Sequence, residues 1–335
     1  MPGADTPRVA IACQGGGSHA AFAAGILSHL LRPEIFDRFA LIALSGTSGG
    51  AVCAALAWSG LIARDGGPAE AASRLLAFWR ELEADDPVDG AINAWGTLLA
   101  GLPVTAEVSP YLIDVGAAAR LRLLLARHVR LEALPPAGAR PALPKLLVGA
   151  TDIRAGEGRI LCGETLTYDD LVASAAVPPL FRAVRTRGTW LWDGLFSRNP
   201  PIRALTDLPE KPDEIWVIQI NPQGRASEPT TMPEIIDRRN ELAGNLSLDR
   251  ELDFIETIND LIERHPAIAE AEGYRRIAVR VVALDLDLDY PSKLDRSPEL
   301  IERLLSHGAA KAHGLFEPAS LRGRAPKGLC WTGAG

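Results

Sequence analysis

The sequence predicts an α/β fold with a largely parallel central sheet and helices on both faces of that sheet. Short apolar runs typical of buried strands alternate along the chain with alanine-rich or amphipathic segments typical of helices. This alternation is characteristic of folds in which helices pack back on a parallel sheet. A hydrophobic content of 47% and a charged content of 23% fit a globular protein with a sizeable core.

Strands are predicted where apolar runs end in turns or glycine-rich loops. They are 8–13, 41–45, 145–152, 159–162, 189–194, 214–221 and 277–284. Helices are predicted from small-residue or amphipathic periodicity and from capping residues. They are 20–27, 51–58, 69–83, one beginning at Ser109, 169–177, one beginning at Asn199, 234–265 with a break at Gly244, and one from Ser297 to near Gly308.

Three further segments are predicted to lack regular structure. Residues 131–144 form a proline-rich loop, and the polar loop at 222–233 is expected to be mobile. Residues 86–104 are apolar but interrupted by glycine and proline, so we expect a packed connection there. The alternatives for this segment are a cover over an apolar pocket or a surface between Trp95 and Val104 that dips into lipid.

Composition and charge exclude several classes of protein. A net charge of −7 argues against nucleic-acid binding and against purely electrostatic docking on anionic lipid. The first residues carry no signal-peptide pattern, and the longest apolar stretch, 51–63, is too short to span a bilayer. The cysteines form neither a disulfide framework nor a metal motif; they are Cys13, Cys53, Cys162 and Cys330. We therefore expect a cytoplasmic protein without a metal site.

Ser48 is the candidate nucleophile. The apolar run 41–45 leads into a Gly-x-Ser-x-Gly sequence, and an alanine-rich helix begins at once. A strand–turn–helix of this kind forces its central residue into a strained conformation and lifts the side chain above the sheet edge. Gly46 and Gly50 permit a close approach that a β-carbon would block. The alternative is an ordinary glycine-rich turn between a strand and a helix.

Three consecutive glycines, Gly15, Gly16 and Gly17, separate the first strand from its helix. Their backbone N–H groups can approach a ligand closely, and an anion or an oxyanion is the natural guest. The spacing also fits a dinucleotide-binding fingerprint, although the next strand does not close with the acidic residue that such a site expects. Nucleotide binding and simple tight packing of strand against helix are therefore the alternatives.

Asp193 is the candidate base for a serine nucleophile. It closes a strand, precedes Gly194 and lies in a segment that returns to the sheet, so it can face Ser48. Apolar neighbours would raise the pKa of its carboxyl group toward neutrality. A Ser-His-Asp triad would use a late histidine, His307 or His313, but neither follows a strand directly. The remaining alternative is that the Asp-Gly pair only marks a turn.

The glycine loop, the Gly-x-Ser-x-Gly and the Asp-Gly occur in the order found in the patatin-like phospholipase family, which the chain resembles from about Arg8 to Asn221. Blocks at 150–152, 173–181 and 199–201 support this resemblance. It implies a patatin-like three-layer fold and a Ser–Asp dyad that hydrolyses acyl esters of lipids without a metal or cofactor.

The resemblance also implies a role for each candidate residue. Ser48 would be the nucleophile, Asp193 the general base, and the N–H groups of Gly15, Gly16 and Gly17 the oxyanion hole. The chain departs from the family pattern at two places. His19-Ala20 replaces the usual Lys/Arg-Gly, which removes a positive charge beside the oxyanion hole and bears on phospholipid preference. Leu195 replaces a small residue after the Asp-Gly, which narrows the site.

We therefore expect one acyl hydrolase domain over residues 1–335, with a catalytic core at about 8–221 and a helical and strand extension at 234–320. The expected activity is of the phospholipase A or lipid esterase type. The expected substrate is an acyl ester of a lipid, reached through transient contact with a membrane surface. A catalytically weakened, lipid-binding member of the family is the alternative.

Overall fold

The structure is a computed structural model that describes residues 6–100, 109–112, 116–136, 139, 144–178, 180–225 and 227–322. Part of the segment for which lipid contact was an alternative, namely the side chain of Trp95 and residues 101–104, lies outside this description, as does Cys330. Within the described ranges, no helix combines the length and the apolar character needed to cross a bilayer.

An eight-stranded sheet forms the centre of the protein. Its strands are β1 (Arg8–Cys13), β2 (Ala40–Thr47), β3 (Lys145–Asp152), β4 (Glu157–Cys162), β5 (Val184–Thr186), β6 (Thr189–Asp193), β7 (Glu214–Gln219) and β8 (Ala278–Ala283). They lie in the order β5-β6-β3-β2-β1-β7-β8, and β4 also pairs with β3. Five adjacent strands, β3, β2, β1, β7 and β8, are parallel to one another. Strands β4, β5 and β6 join the sheet through antiparallel pairings. The largely parallel sheet is therefore confirmed.

Helices cover both faces of the sheet. They are α1 (Ala21–Leu30), α2 (Pro33–Phe36), α3 (Gly49–Ile62), α4 (Pro68–Leu82), α5 (Pro87–Ala100), α6 (Ala117–Val129), α7 (Tyr168–Ser174), α8 (Arg203–Thr206), α9 (Met232–Arg264), α10 (Pro266–Ala271) and α11 (Pro298–Lys311). Successive side chains of a strand point to opposite faces. In β1, Val9, Ile11 and Cys13 pack with α1, α3, α4 and α11, whereas Ala10 and Ala12 pack with α8 and α9. The predicted three layers are confirmed.

Helices α1 and α11 pack against each other through glycines. A Cβ on Gly25 would lie 2.1 Å from the carbonyl oxygen of Leu305, and one on Gly308 would lie 2.1 Å from that of Phe22. The prediction that this last helix ends near Gly308 is wrong, because α11 continues to Lys311. The glycine permits close contact between two helices and does not end one.

Helix α9 is continuous over 33 residues, so the predicted break at Gly244 is wrong. Gly244 is buried, and a Cβ there would lie 2.7 Å from Nδ2 of Asn199 and 3.0 Å from Cδ1 of Leu195. The missing side chain lets α9 lie against the segment that follows β6. This packing outweighs the cost of glycine in a helix, about 1 kcal/mol relative to alanine.

Residues 87–100 form α5, where the sequence pattern predicted an irregular connection. The Asp86 carboxylate accepts a hydrogen bond from the N–H of Asp89 at 2.9 Å, and a proline occupies the first turn. Asp89 in turn binds the guanidinium of Arg296. Proline and glycine interrupt the apolar pattern of this segment, which explains why the sequence did not indicate a helix.

Two predicted helix starts lie too early in the chain. Ser109 belongs to a turn, in which its hydroxyl accepts a hydrogen bond from the N–H of Tyr111 at 3.3 Å, and α6 begins only at Ala117. The helix predicted to start at Asn199 begins at Arg203. The residue before a proline is biased away from the helical conformation, so the Pro-Pro pair after Asn199 delays the helix.

Candidate active site

The candidate site lies at the carboxyl ends of the parallel strands, where ligand sites of α/β sheets usually occur. The segments that follow β1, β2, β7 and β8 meet there with the turn after β6. Glycines 15–17 follow β1, Ser48 follows β2, Asn221 follows β7, and residues 290–294 follow β8. Asp193 is the last residue of β6.

Ser48 occupies a strained turn between β2 and α3. Its φ is 55° and its ψ is −131°, a conformation that non-glycine residues rarely adopt. The flanking glycines are required by close packing: a Cβ on Gly50 would lie 2.2 Å from the carbonyl oxygen of Cys13, and one on Gly46 would lie 2.5 Å from that of Gly50. The predicted strand–turn–helix is therefore present, and it raises Ser48 at the sheet edge.

The buried side chain of Ser174 helps to hold this turn in place. The N–H of Ser48 donates to the carbonyl oxygen and to the hydroxyl of Ser174, each at 3.1 Å. The Ser174 hydroxyl donates to the carbonyl oxygen of Gly149 in β3 at 2.6 Å. These bonds tie the strained residue to the neighbouring strand. The sequence marked the block around Ser174 without indicating this role.

Asp193 lies beside Ser48 because of the register of the sheet. Thr47 in β2 is opposite Gly149 in β3, and the next residue of β3 is opposite Asp193. Ser48 and Asp193 line the same cavity, where the Ser48 hydroxyl is close enough to lower the pKa of Asp193, and the N–H of Leu195 donates to Oδ1 of Asp193 at 2.8 Å. The structure thus brings together the two residues that the sequence singled out.

Burial changes the acidity of Asp193. Its side chain is almost completely removed from water, which disfavours the charged form and raises the pKa of the carboxyl group to about 7. The hydrogen bond from the Leu195 N–H, and then the nearby Ser48 hydroxyl, oppose this effect and lower the pKa. A carboxylate with a pKa near neutrality is a much better proton acceptor than an ordinary aspartate.

Buried amide side chains hold the glycine loop against the sheet. The N–H of Gly15 donates to Oδ1 of Asn199 at 2.8 Å, and its carbonyl oxygen accepts from Nδ2 of Asn221 at 3.0 Å. Oε1 of Gln14 accepts from the N–H of Asn221 at 2.8 Å, while its Nε2 donates to Oδ1 of Asn245 at 2.9 Å. The loop is therefore fixed by segments far away in the sequence.

The three glycines differ in their hydrogen bonding. The N–H of Gly15 is engaged by Asn199, whereas no described residue accepts a hydrogen bond from the N–H of Gly16 or Gly17. Gly15 also permits close approach, since a Cβ there would lie 2.6 Å from the Cβ of Ser48. Gly17 has a φ of +61°, which favours glycine. This geometry leaves two of the three predicted donors available to a ligand.

Two cavities meet at Ser48. The first, which we call the polar chamber, has a volume of about 100 Å³, and its lining includes Asp193, Asn199, Asp237, Glu241, Tyr290 and Lys293. The second, which we call the apolar cavity, has a volume of about 440 Å³, and its lining includes Val52, Phe78, Trp79, Leu82, Leu124 and Phe181. A reacting group at Ser48 would therefore have a polar and an apolar side.

A sequence model described as "Patatin-like phospholipase" matches residues 11–206, which is more than half of the chain. The chain belongs to the patatin-like phospholipase family. The matched region contains the glycine loop, Ser48 and Asp193. Family membership supports a lipid hydrolase activity and confirms the resemblance on which the sequence-based predictions were built.

Solved structures to which the chain is similar include VipD from Legionella pneumophila, with 12% sequence identity and a TM-score of 0.41 over 92% of this chain and 66% of that chain. The type III effector ExoU has 16% identity and a TM-score of 0.36 over 92% of this chain and 52% of that chain. The complex of SpcU with ExoU from Pseudomonas aeruginosa has 12% identity and a TM-score of 0.33 over 96% of this chain and 75% of that chain. The chain thus spans just under two thirds of the matched VipD chain and about half of the first ExoU chain. A search of curated protein sequences gives no match.

His19, which replaces the basic residue of the family pattern, is buried and uncharged. Its Nε2 lies 2.8 Å from the hydroxyl of Ser292, which itself donates to the carbonyl oxygen of Asp289. The Ser292 oxygen therefore accepts a hydrogen bond from the Nε2–H of His19. Burial and then the nearby charge of Lys293 lower the pKa of His19 to about 3. The family's cation is thus replaced by a neutral hydrogen-bond donor.

The other departure from the family pattern, Leu195, lines the polar chamber and donates its backbone N–H to Asp193. Any residue except proline could donate this bond, so the substitution leaves it intact. Leucine at this position lies against Gly244 of α9, and a narrowing of the site by it stays a prediction.

None of the histidines lies among the described residues that line either cavity. His307 pairs with Asp285 at 2.6 Å, and His313 packs against the ring of His29. The two histidines considered for a triad are therefore engaged elsewhere. Across the described ranges, no three His, Cys, Asp or Glu side chains are grouped so that they could hold a metal ion.

Part of the polar chamber comes from α9 and from residues 290–294, which the sequence analysis did not identify as site residues. Asp237 and Glu241 in α9 are buried and pair with Lys293 at 2.5 and 3.1 Å and with Arg225. The carbonyl oxygen of Lys293 packs on Gly17, where a Cβ would lie 2.4 Å away. The sequence signal for this part of the site was a pair of acids, Asp237 and Glu241, which lie one helical turn apart on the buried face of the long helix α9.

Proposed function

We propose that the protein is a serine acyl hydrolase that cleaves carboxylic esters of lipids through a Ser48–Asp193 dyad. The observation that carries this proposal is that a serine at positive φ lines the same cavity as a buried carboxyl group with a pKa of about 7. The strain exposes the nucleophile and the raised pKa suits the base. Membership of the patatin-like phospholipase family supports the same chemistry.

In the first half of the reaction, the Asp193 carboxylate removes the proton of the Ser48 hydroxyl while Oγ attacks the ester carbonyl. The resulting tetrahedral oxyanion collapses, the carbon–oxygen bond to the alcohol breaks, and the alcohol takes the proton from Asp193. In the second half, Asp193 removes a proton from water, which attacks the acyl-Ser48 ester. Collapse of the second tetrahedral species releases the fatty acid and returns the proton to Ser48.

We propose that the N–H groups of Gly16 and Gly17 stabilise the oxyanion in both halves of the reaction. Their freedom from other acceptors among the described residues supports this role. Loss of one such donor costs about 3–4 kcal/mol of transition-state stabilisation. The N–H of Gly15 was predicted to act with them, but its hydrogen bond to Asn199 favours a structural role for that glycine.

We also propose that the whole chain acts as one catalytic unit. The family match ends at residue 206, yet side chains of α9 and of residues 290–294 line the polar chamber. The extension at 234–320 thus contributes to the site that the core at 8–221 begins. The cytoplasmic location and transient contact with a membrane surface remain predictions.

Labelling with a fluorophosphonate, together with hydrolysis of a p-nitrophenyl acyl ester, tests the nucleophile. The wild-type protein should be labelled at a single serine and should release nitrophenol. Ser48→Ala should lose both properties. Ser28→Ala is the matched control and should keep both, since the Ser28 hydroxyl only donates to the carbonyl oxygen of Gly25 within α1. Persistent turnover by Ser48→Ala would rule out this nucleophile.

The same experiment separates the hydrolase from a weakened, lipid-binding member of the family. Such a protein would bind lipid micelles without labelling or turnover. That outcome would refute the proposed activity while leaving the family assignment intact.

A further inference from the structure

The turn that carries the glycine loop is packed between two segments that are distant in the sequence. A Cβ on Gly17 would lie 2.4 Å from the carbonyl oxygen of Lys293, which follows β8. A Cβ on Gly49, the residue after Ser48, would lie 2.9 Å from the carbonyl oxygen of Gly17. Gly17 therefore lies between the segment after β8 and the start of α3. A shift of the segment after β8 would change the position of the Gly16 and Gly17 N–H groups relative to Ser48.

His19 links this turn to the segment after β8. Its backbone N–H donates to the carbonyl oxygen of Gly16 at 3.2 Å, at the start of the short helical turn Gly17–Ala20. Its side chain is buried, and Nε2 lies 2.8 Å from the hydroxyl of Ser292. One residue thus contacts the glycine loop through its backbone and Ser292 through its ring.

Ser292 is itself held in a fixed orientation. Its N–H donates to Oδ1 of Asp289 at 3.0 Å, and its hydroxyl donates to the carbonyl oxygen of Asp289 at 2.7 Å. Because the hydroxyl proton is engaged there, the oxygen is available to accept from His19. The next residue, Lys293, is tied to α9 by its buried ion pairs. Ser292 therefore presents an acceptor to His19 from a segment that is itself anchored.

The hydrogen bond between His19 and Ser292 does not change over the pH range in which Asp193 ionises. Burial and then the charge of Lys293 lower the pKa of His19 to about 3, against the smaller opposing effect of Glu241, so the ring is neutral at higher pH. Asp193, by contrast, has a pKa of about 7. Loss of this hydrogen bond should therefore change how fast an ester is cleaved without moving the pH at which the rate rises.

We propose that Ser292 is a positioning residue of the oxyanion hole. Its hydrogen bond to His19 holds the turn so that the N–H groups of Gly16 and Gly17 face the carbonyl group under attack. This inference rests on the proposed function and adds to it a residue beyond the family match, which ends at residue 206. Ser292 is not among the described residues that line either cavity, so it acts through His19 and not on the substrate.

The first test measures kcat and KM for a p-nitrophenyl acyl ester. Ser292→Ala removes the acceptor and should lower kcat about tenfold with little change in KM, because a misplaced donor weakens binding of the oxyanion and not of the ester. The pH at which the rate rises should stay near 7, since Asp193 is unchanged. Ser292→Thr keeps the hydroxyl and should restore most of the lost rate.

Ser320→Ala is the matched control. Like that of Ser292, the hydroxyl of Ser320 donates to the carbonyl oxygen three residues earlier, but its other partner is Arg280 in β8, so this variant should keep the wild-type kcat. His19→Phe keeps a ring without a donor and should resemble Ser292→Ala. The double variant should lose no more than either single variant, because both remove the same hydrogen bond. Equal kcat values in the wild-type protein, Ser292→Ala and His19→Phe would overturn the proposal.

Nuclear magnetic resonance of isotope-labelled histidine tests the contact without turnover. The Nε2–H proton of His19 should exchange slowly with water in the wild-type protein and in Ser320→Ala, and rapidly in Ser292→Ala. The backbone amide of His19 should also exchange faster in Ser292→Ala, since the turn is no longer held. Rapid exchange of the ring proton in the wild-type protein would overturn the proposal. A wild-type protein with the slow ring proton but no ester hydrolysis would instead refute the proposed function.

Discussion

At the scale of single residues, the candidate chemistry depends on burial. Asp193 would be an ordinary acid on a surface, with a pKa of about 4. Its position at the end of β6, beneath the segment that follows, removes it from water and raises its pKa to about 7. The sequence predicted this pairing because a strand end and an Asp-Gly turn bring a carboxylate back to the sheet edge. Two predictions follow from the titration of this one group.

The rate of ester hydrolysis should rise with pH and then level off. Asp193 must be ionised to accept the Ser48 proton, so kcat/KM should increase about tenfold per pH unit below pH 7 and reach a plateau above it. Asp193→Asn should be inactive at every pH. The measurement is kcat/KM for an uncharged p-nitrophenyl ester between pH 5 and 9, corrected for the spontaneous reaction. A plateau extending down to pH 5 would contradict a base with a pKa near 7.

Stability should respond to pH through the same group. Because the pKa of Asp193 is higher in the folded than in the unfolded protein, the folded state holds its proton more tightly, and its contribution falls as pH rises from about 4 to about 7. Asp193→Asn cannot ionise and should escape this loss, which is up to about 4 kcal/mol. Its free energy of unfolding, from urea titrations, should exceed that of the wild-type protein above pH 7 and approach it at pH 4. A difference independent of pH would count against a buried titrating carboxyl group.

At the scale of elements, glycine was the residue most easily misread from the sequence. Its position predicted the Ser48 turn correctly, because there a strand, a turn and a helix follow one another within a few residues. Inside helices the same residue predicts a break at Gly244 and an end near Gly308, whereas both helices continue past it. Both glycines instead mark contact with another element. Local sequence cannot distinguish these roles, since the contacting atoms come from distant segments.

Alanine substitutions at two helical glycines should therefore act in opposite directions. Gly25→Ala places a Cβ 2.1 Å from the Leu305 carbonyl oxygen, and overpacking of about 1–3 kcal/mol should exceed the roughly 1 kcal/mol that alanine gains in a helix. Gly90→Ala in α5 is the matched control, because its nearest contact would be 3.5 Å away, so it should stabilise by up to about 1 kcal/mol. Thermal unfolding measures both changes. A stabilised Gly25→Ala would mean that α1 and α11 can separate without cost.

At the scale of the whole molecule, the sequence predicted one half of the site and missed the other. The glycine loop, Ser48 and Asp193 lie on short segments whose local patterns indicate their roles. Lys293, Asp237 and Glu241 carry no such pattern, because their function comes from pairing across more than fifty residues of chain. Arg120 and Arg296 meet at Asp89 in the same way. Ion pairs between distant segments are decided by the packing of α5, α6, α9 and the segment between β8 and α11, which periodicity does not reveal.

Removal of the buried lysine should therefore destabilise the molecule far more than removal of an exposed one. Lys293→Met leaves Asp237 and Glu241 buried with one cation fewer, at a cost of about 3 kcal/mol, the lower end for a broken buried pair because Arg225 remains. Lys311→Met is the matched control: its pair with Asp285 is exposed, so the free energy of unfolding should change by less than about 0.5 kcal/mol. Both are measured by urea unfolding at pH 8 and low salt. Only a buried ion pair predicts a larger loss for Lys293→Met than for Lys311→Met. Similar losses for the two variants would therefore show that the pairs of Lys293 with Asp237 and Glu241 do not hold α9 to the segment after β8.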